Sequence, residues 1–428
     1  MRDIALICCI VGALGATIRY PYVGVMFWVW MSIQNPHQET YSFVHRIPLV
    51  FIVAVAATIS WTISTERKVP PRGVMTPLVL TLLAWTTFNG FFAFDPTFSW
   101  PFWGRAWKTI AMCVVAATLA TNKVRIQAMI WVVALSLGYY GVKGGIFTLV
   151  SGGASHVFGP PDSMIRENNE LALALVMLLP MLHYLRVHSG ARSVRAGLLG
   201  AIILCVTSVL GSYSRGGYIA LTAVAFAFWL RAKNKLAYPA AAVIVLIPLL
   251  KFMPESFYNR VYSIQQYNTD ETFQSRLASW SVAYHYAVDH FPFGAGFYGI
   301  NLRAIWDKYH PGEVFAAHSI YFQTLGEQGF VGLALYLAII LFGFLNLRAT
   351  IRDTKGIPAL AWAHDLARMM QLSLVAFCVG GAAAPMNFYD VFFLWMMLSA
   401  TLHEQTKLQR AASARIAPER MVISGAPR

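Results

Sequence analysis

Four cationic side chains stand at the edges of apolar runs or in the long polar interval between them. They are Arg166 in "SMIRENNELALAL", Arg215 in "SYSRGGY", Arg276 in "FQSRLASW" and His318 in "AAHSIYFQTLGEQG". Arginine offers a planar fork of donors that grips phosphate bidentately and never loses its charge. Histidine takes or gives a proton near neutrality. Together these types suit an anion site with an imidazole able to exchange a proton at its edge. A single Arg or His at a helix end is more often an anchor at a membrane boundary, so the four must be weighed together. The step from His318 across ten residues to Gly329 adds little by itself. With 11 histidines and 31 glycines in 428 residues, roughly one such pair arises by chance.

The elements that must position these groups are membrane helices. The chain is 57% hydrophobic and 12% charged, about half the charge of a soluble domain. Apolar runs near the ~20 residues that cross a bilayer recur along nearly its whole length. Spans are expected near 47–64, 76–92, 104–121, 126–150, 168–185, 196–213, 216–230, 236–252, 319–346, 366–384 and 389–403. Arg19-Tyr20-Pro21 divides residues 3–33, which are expected to form one broken span. The fold class is thus an all-α polytopic integral membrane protein of about twelve transmembrane helices, with both termini on one side.

The net charge of +14 does not call for nucleic acid, because the basic residues cluster in short loops between apolar runs. Membrane topology is a sufficient reason for that pattern, and it assigns the basic loops to the cytoplasm. The loops at 34–46, 93–103, 151–167, 253–317 and 385–388 are poor in Lys and Arg and are expected to face outward. The chain then divides into helices over 1–252, a large external loop at 253–317, C-terminal helices over 318–404 and a basic tail at 405–428. Cys8, Cys9, Cys113, Cys205 and Cys378 all lie in apolar segments without metal spacing and read as small hydrophobes. Residues 1–18 lack a strongly basic start, so no cleavable signal is expected. His37, His45, His156, His285, His290 and His310 show no ligand spacing with a carboxylate. No metal or cofactor is expected.

The loop at 253–317 is too long for a bare connection and should fold. Phe273, Leu277, Trp280, Tyr284 and Val288 repeat at helical spacing, with Asp270 and Thr272 as candidate caps. "HFPFGAGFYG" then ends the helix with Pro292 and three glycines. Arg276 falls at the edge of the apolar stripe, where a solvated helix edge is the plainer reading.

The spans near 168, 216 and 319 run inward from the outer face, so their positive dipole ends point outward beside Arg166, Arg215 and His318. Free N–H groups with guanidinium groups make an anion site. Gly216-Gly217 would let a phosphate approach the backbone closely. A transporter or channel would place its ionisable residues near mid-bilayer, whereas here the span centres are nearly free of charge. Glu313, Asp270 and Glu271 either orient the site or are loop surface.

"SYSRGGY", "FQSRLASW" and "HSIYFQTLGEQGFVG" together resemble the bacterial O-antigen ligases, within the ligase/polymerase superfamily of membrane glycosyltransferases. The resemblance covers about 150–400 well, and the first 150 residues mainly by hydropathy. It implies a GT-C-like fold and a metal-independent periplasmic reaction. Glycan moves from undecaprenyl diphosphate to a sugar of lipid A–core oligosaccharide at the inner membrane. Membrane lipids are the only other expected partners. The family's motif histidine falls on His318 with Gly329, and its functional arginines fall on Arg215 and Arg276. Trp280 stands where one description of the loop arginine has leucine. The sibling polymerases favour Arg, ten residues, Gly, which neither Arg215 (Phe226) nor Arg276 (Ala287) satisfies. "RENNELALAL" resembles a subgroup that includes protein O-glycosylation ligases. With the resemblance in place, His318 is the expected base, Arg215 and Arg276 are expected in the catalytic centre, and Arg166 joins them as a diphosphate ligand.

Overall fold

The computed structural model describes residues 2–40, 43–232, 234–236 and 271–424, with positions 243, 247, 251, 254, 255, 257 and 258 between them. Most of the span expected at 236–252, and Asp270, lie outside the described residues. The described residues are helical, with no strand among them. In chain order the helices are α1 (Arg2–Arg19), α2 (Pro21–Gln34), α3 (Leu49–Ile63), α4 (Met75–Gly90), α5 (Pro96–Leu119), α6 (Lys123–Val150) and α7 (Asn168–His188). There follow α8 (Arg192–Gly211), α9 (Arg215–Leu230), α10 (Glu271–Asp289), α11 (Arg303–Tyr309), α12 (Ile320–Thr354), α13 (Ala361–Gly380) and α14 (Asp390–Ser424).

Among the described residues, five stretches are long and apolar enough to cross a membrane: α6, α7, α8, α12 and Pro358–Ala383, which contains α13. This is a multi-pass helical membrane protein. Five is fewer than the expected twelve, because helices such as Leu49–Ile63 and Arg215–Leu230 are apolar but short.

Local sequence sets the helix starts. Asp95 accepts the Thr97 N–H at 2.8 Å ahead of Pro96, which opens α5. Asn122 accepts the Arg125 N–H at 3.0 Å and opens α6. Helix α7 is apolar on all sides and buried from Glu170 to Leu182, as a central helix must be. It packs against α8, α9 and α13, and α13 in turn packs against α9, α12 and α14.

The expectation of one broken span in residues 3–33 is corrected. Helix α1 packs along α2 and also meets the 36–39 turn beyond the far end of α2, so the two run in opposite directions. Pro21 in the first turn of α2 cannot continue a helix begun upstream, and Tyr20 is the single residue between them. Residue 2 therefore lies at the end of the bundle that carries His318, opposite the end of α14.

The described stretch 271–317 before α12 folds, but the buried face of its helix is not the expected stripe. Helix α10 buries Ser279, Val282, Ala283, Tyr286 and Ala287, while Leu277, Tyr284 and Val288 stay exposed. At the contact with α12, Ala283 lies directly against Gly326. Val282, Ala283 and Tyr286 join Ala295, Ile300, Ile305, Trp306 and Ala317 in a second small core.

Candidate functional site

Helix α12 is broken at Gly329, whose φ of 69° and ψ of −174° interrupt an otherwise continuous run. The 293–297 segment fits into that break. Ala295 N–H donates to the Gly326 carbonyl at 2.8 Å and Gly296 N–H to the Glu327 carbonyl at 2.9 Å. A Cβ at Gly329 would overlap the Pro292 carbonyl oxygen and the Phe293 backbone. The Glu327 side chain is fully enclosed and accepts from Tyr298 N–H and Gln323 Nε2, both at 3.1 Å. Asn89 on α4 donates to the Glu327 carbonyl at 2.8 Å. "GEQG" thus builds a socket for the loop, and the glycine that follows His318 by eleven positions is a backbone requirement.

Helix α10 aims the chain at His318. Trp280, one turn after Arg276 on α10, donates its indole N–H to the Ala317 carbonyl at 2.8 Å. Its ring stacks on Phe322 with centroids 4.8 Å apart and planes 6° apart. His318 sits in the left-handed region, with φ 42°. This strained geometry turns the chain just before α12, and such strain gathers at functional positions. Its Nδ1 is buried without a hydrogen-bond partner among the described residues. Burial first, and the Arg276 guanidinium second, lower its pKa from the usual histidine value.

Arg215 is the first residue of α9, directly behind a tight turn. Tyr213 adopts φ 57°, and its hydroxyl donates to the Gly153 carbonyl at 2.6 Å. Ser214 Oγ accepts the Gly217 N–H at 3.0 Å and donates to Asn169 Oδ1 at 2.7 Å. Asn168 Nδ2 donates to the Ser212 carbonyl at 2.8 Å. "RENNE" therefore pins the turn that presents Arg215.

Arg215 and Arg276 line one cavity of about 320 Å³, walled by Phe273, Trp280, Val379 and Ala383. His318 does not line it but stands beside it, within the field of Arg276. The N-terminal ends of α9 and α12 meet around the 381–383 turn, as the packing of Gly216 on Ala383 and of Gly381 on Ile320 shows. Helix α7 joins them through Asn169.

Two expectations change. Arg166 does not enter the cavity: its side chain is 64% exposed and lies 3.5 Å from Glu167. Gly216 and Gly217 serve helix packing, since added Cβ atoms would overlap Ala383 and Ala172, and the Gly217 N–H is already taken by Ser214. The structure also adds a residue. Glu170, in the first turn of α7, is buried with one carboxylate oxygen unpartnered among the described residues. It lies within electrostatic reach of Arg276. Its position in "RENNE" was the available signal, but a glutamate in the first turn of a helix is ordinarily just dipole compensation. Among the described residues no three His, Cys, Asp or Glu side chains gather as metal ligands would.

A multi-pass membrane protein with two arginines facing one cavity and a histidine alongside is the class these elements define. Residues 200–337 match the family described as O-Antigen ligase, and that region, which holds Arg215, Arg276, His318 and Gly329, supports membership of that family. Members are membrane glycosyltransferase-like enzymes of ligase/polymerase type. Residues 1–190 match a second model, a family of unknown function (DUF5935). No curated protein matches the chain.

Proposed function

We propose that the protein transfers O-antigen glycan from undecaprenyl diphosphate to a sugar of lipid A–core oligosaccharide, on the periplasmic face of the bacterial inner membrane and on a GT-C-like framework. The observation that carries this reading is the convergence of Arg215 and Arg276, from separate helices, on one cavity beside His318. The donor's anomeric carbon already bears a diphosphate, so its C–O bond can break without nucleotide activation. Negative charge develops on the departing phosphate oxygen, where two guanidinium groups with a mostly apolar wall around them act strongly. The acceptor hydroxyl attacks the anomeric carbon and gives its proton to His318, which later releases it to water. A lowered pKa keeps His318 neutral and ready to accept that proton near pH 7. Charge stabilisation is assigned to arginine, so the reaction is proposed to be metal-independent.

Protein O-oligosaccharyl transfer is the second reading, favoured by "RENNELALAL", whose asparagines hold the Arg215 turn. Polymerisation is the third, and transport is disfavoured. Purified protein offered the lipid-linked glycan with lipid A–core or with a pilin-like acceptor, each with and without chelator, separates them. Product on lipid A–core at an unchanged rate in chelator supports the proposal. Product on the protein acceptor alone moves the assignment to the second reading.

A further inference from the structure

A second pocket opens at the same end of the bundle, on residues that glycan transfer does not use. Its volume is about 390 Å³, and it shares no lining residue with the Arg215–Arg276 cavity. Its walls come from α2, α3, α5, the 162–165 turn and the start of α14. Nearly all of it falls in the region matched to the family of unknown function. Arg105 and Lys108, one turn apart on α5, both contribute to it and are exposed. Deeper in, Asp390 is enclosed and accepts hydrogen bonds from Ser32 and from Thr109 Oγ1, the latter at 2.7 Å. The Arg105 charge reaches Asp390, and Asp162 adds a second carboxylate at the rim.

Two residues that line this pocket each carry a buried polar atom with no partner among the described residues: the Tyr389 hydroxyl and His37 Nδ1. The two residues are only 3% and 6% exposed. Leaving such groups unsatisfied is costly, so they point to something that bonds them. The pocket combines cations for an anion, carboxylates and hydroxyls for sugar or polyol OH groups, and Trp28 and Phe51 for an apolar face. A bare phosphate would not need the carboxylates, and a neutral sugar would not need the cations.

We propose that this pocket binds the phosphorylated saccharide or polyol headgroup of a membrane amphiphile. The phosphate meets Arg105 and Lys108, and the hydroxyls meet Asp390, Tyr389 and His37. The pocket shares no lining residue with the Arg215–Arg276 cavity, so binding here and glycan transfer there are tested separately.

Native mass spectrometry of the full chain in micelles tests it with three probes. Phosphatidylinositol carries phosphate and polyol, phosphatidylglycerol carries phosphate with a short diol, and glucosyl diacylglycerol carries sugar without charge. Phosphatidylinositol should be retained most. Arg105→Gln with Lys108→Gln should lower its retention about tenfold or more, as loss of charge-assisted bonds implies. Tyr389→Phe should narrow its advantage over phosphatidylglycerol, and Asp390→Asn should do so as well if that variant melts normally. Equal retention of all three probes, or an unchanged Arg105/Lys108 double variant, overturns the proposal. Equal retention of the two phospholipids, lost together in the double variant, overturns its saccharide part and leaves a plain anionic-lipid site.

Discussion

The two ends of the bundle use arginine for different purposes. At the end away from His318, arginines knit helices together. Arg67 reaches Glu404 at 2.9 Å, Arg125 reaches Glu66 at 2.5 Å, and Arg231 donates to the Arg368 carbonyl and to Gln371 Oε1, both at 3.1 Å. Each ties segments distant in sequence. At the opposite end, Arg215 and Arg276 form the wall of a cavity, with His318 in the field of Arg276. The difference teaches that a count of cations does not locate chemistry. A guanidinium clasped by a carboxylate across a helix gap ties helices together, and one that lines a cavity stands where a ligand can reach it.

The comparison breaks most visibly under Arg215→Ala and Arg276→Ala. Each should reduce glycan transfer by at least about 10²-fold, the loss expected when a charge-stabilising donor leaves a water-poor site. Thermal melting in detergent should hardly change. Arg→Lys should rescue poorly, because an ammonium lacks the planar fork. Full activity in Arg215→Lys would count against a bidentate clamp.

Gly329→Ala attacks the socket instead of the ligand. Placing a Cβ at φ 69° against the Pro292 carbonyl should cost about 1–3 kcal/mol of stability. Activity should fall with it, since the segment seated in that break directly follows α10, which carries Arg276 and Trp280. An unchanged melting temperature would mean the break in α12 is not needed.

Arg125→Ala tests the far end. Loss of a partly exposed pair should cost about 1 kcal/mol or less, with transfer per folded molecule unchanged. The hydrogen bond from Arg125, its largest cause, holds the Glu66 pKa below the usual glutamate range. The pair's contribution is therefore present above the unfolded glutamate pKa and is lost as pH falls through the lower folded value. Wild type and variant should converge in melting temperature in strong acid. A gap that persists there would place the stabilisation elsewhere. Smallest of all, Arg166→Ala should change transfer by less than about threefold, in line with a surface pair. A loss as deep as that of Arg215→Ala would return Arg166 to the site.

Much of this was legible in the residues, and the gaps have physical causes. Hydropathy placed the helices, because twenty apolar residues announce themselves locally. It could not tell a broken span from a hairpin in residues 3–33, since Arg19-Tyr20-Pro21 interrupts both alike. Arg215, Arg276 and His318 were chosen from side-chain chemistry, and the fold brings the two arginines to one cavity with His318 close by. Arg166 was chosen on the same grounds, but its exposure depends on how the 157–167 loop folds over. Gly216-Gly217 suggested backbone room for a ligand, and Ala172 and Ala383 fill that room. The role of Gly329 was invisible because it depends on a loop more than thirty residues upstream that enters the break in α12. On α10 the apolar spacing gave the helix but not its buried face, because Ala283 lies against Gly326 of α12 and turns Leu277, Tyr284 and Val288 to the exposed side.

The most direct test of the central claim is the initial rate and the donor affinity of His318→Gln, measured on one preparation. If His318 is the base, the rate should fall by about 10²–10⁴-fold, while affinity for the lipid diphosphate survives because Arg215 and Arg276 still hold it. In the wild type the rate should rise with pH through one ionisation below the usual histidine value of about 6.5, since burial and Arg276 both lower that pKa. A near wild-type rate in His318→Gln would contradict the account. A loss confined to donor affinity would make His318 a phosphate ligand instead of the base.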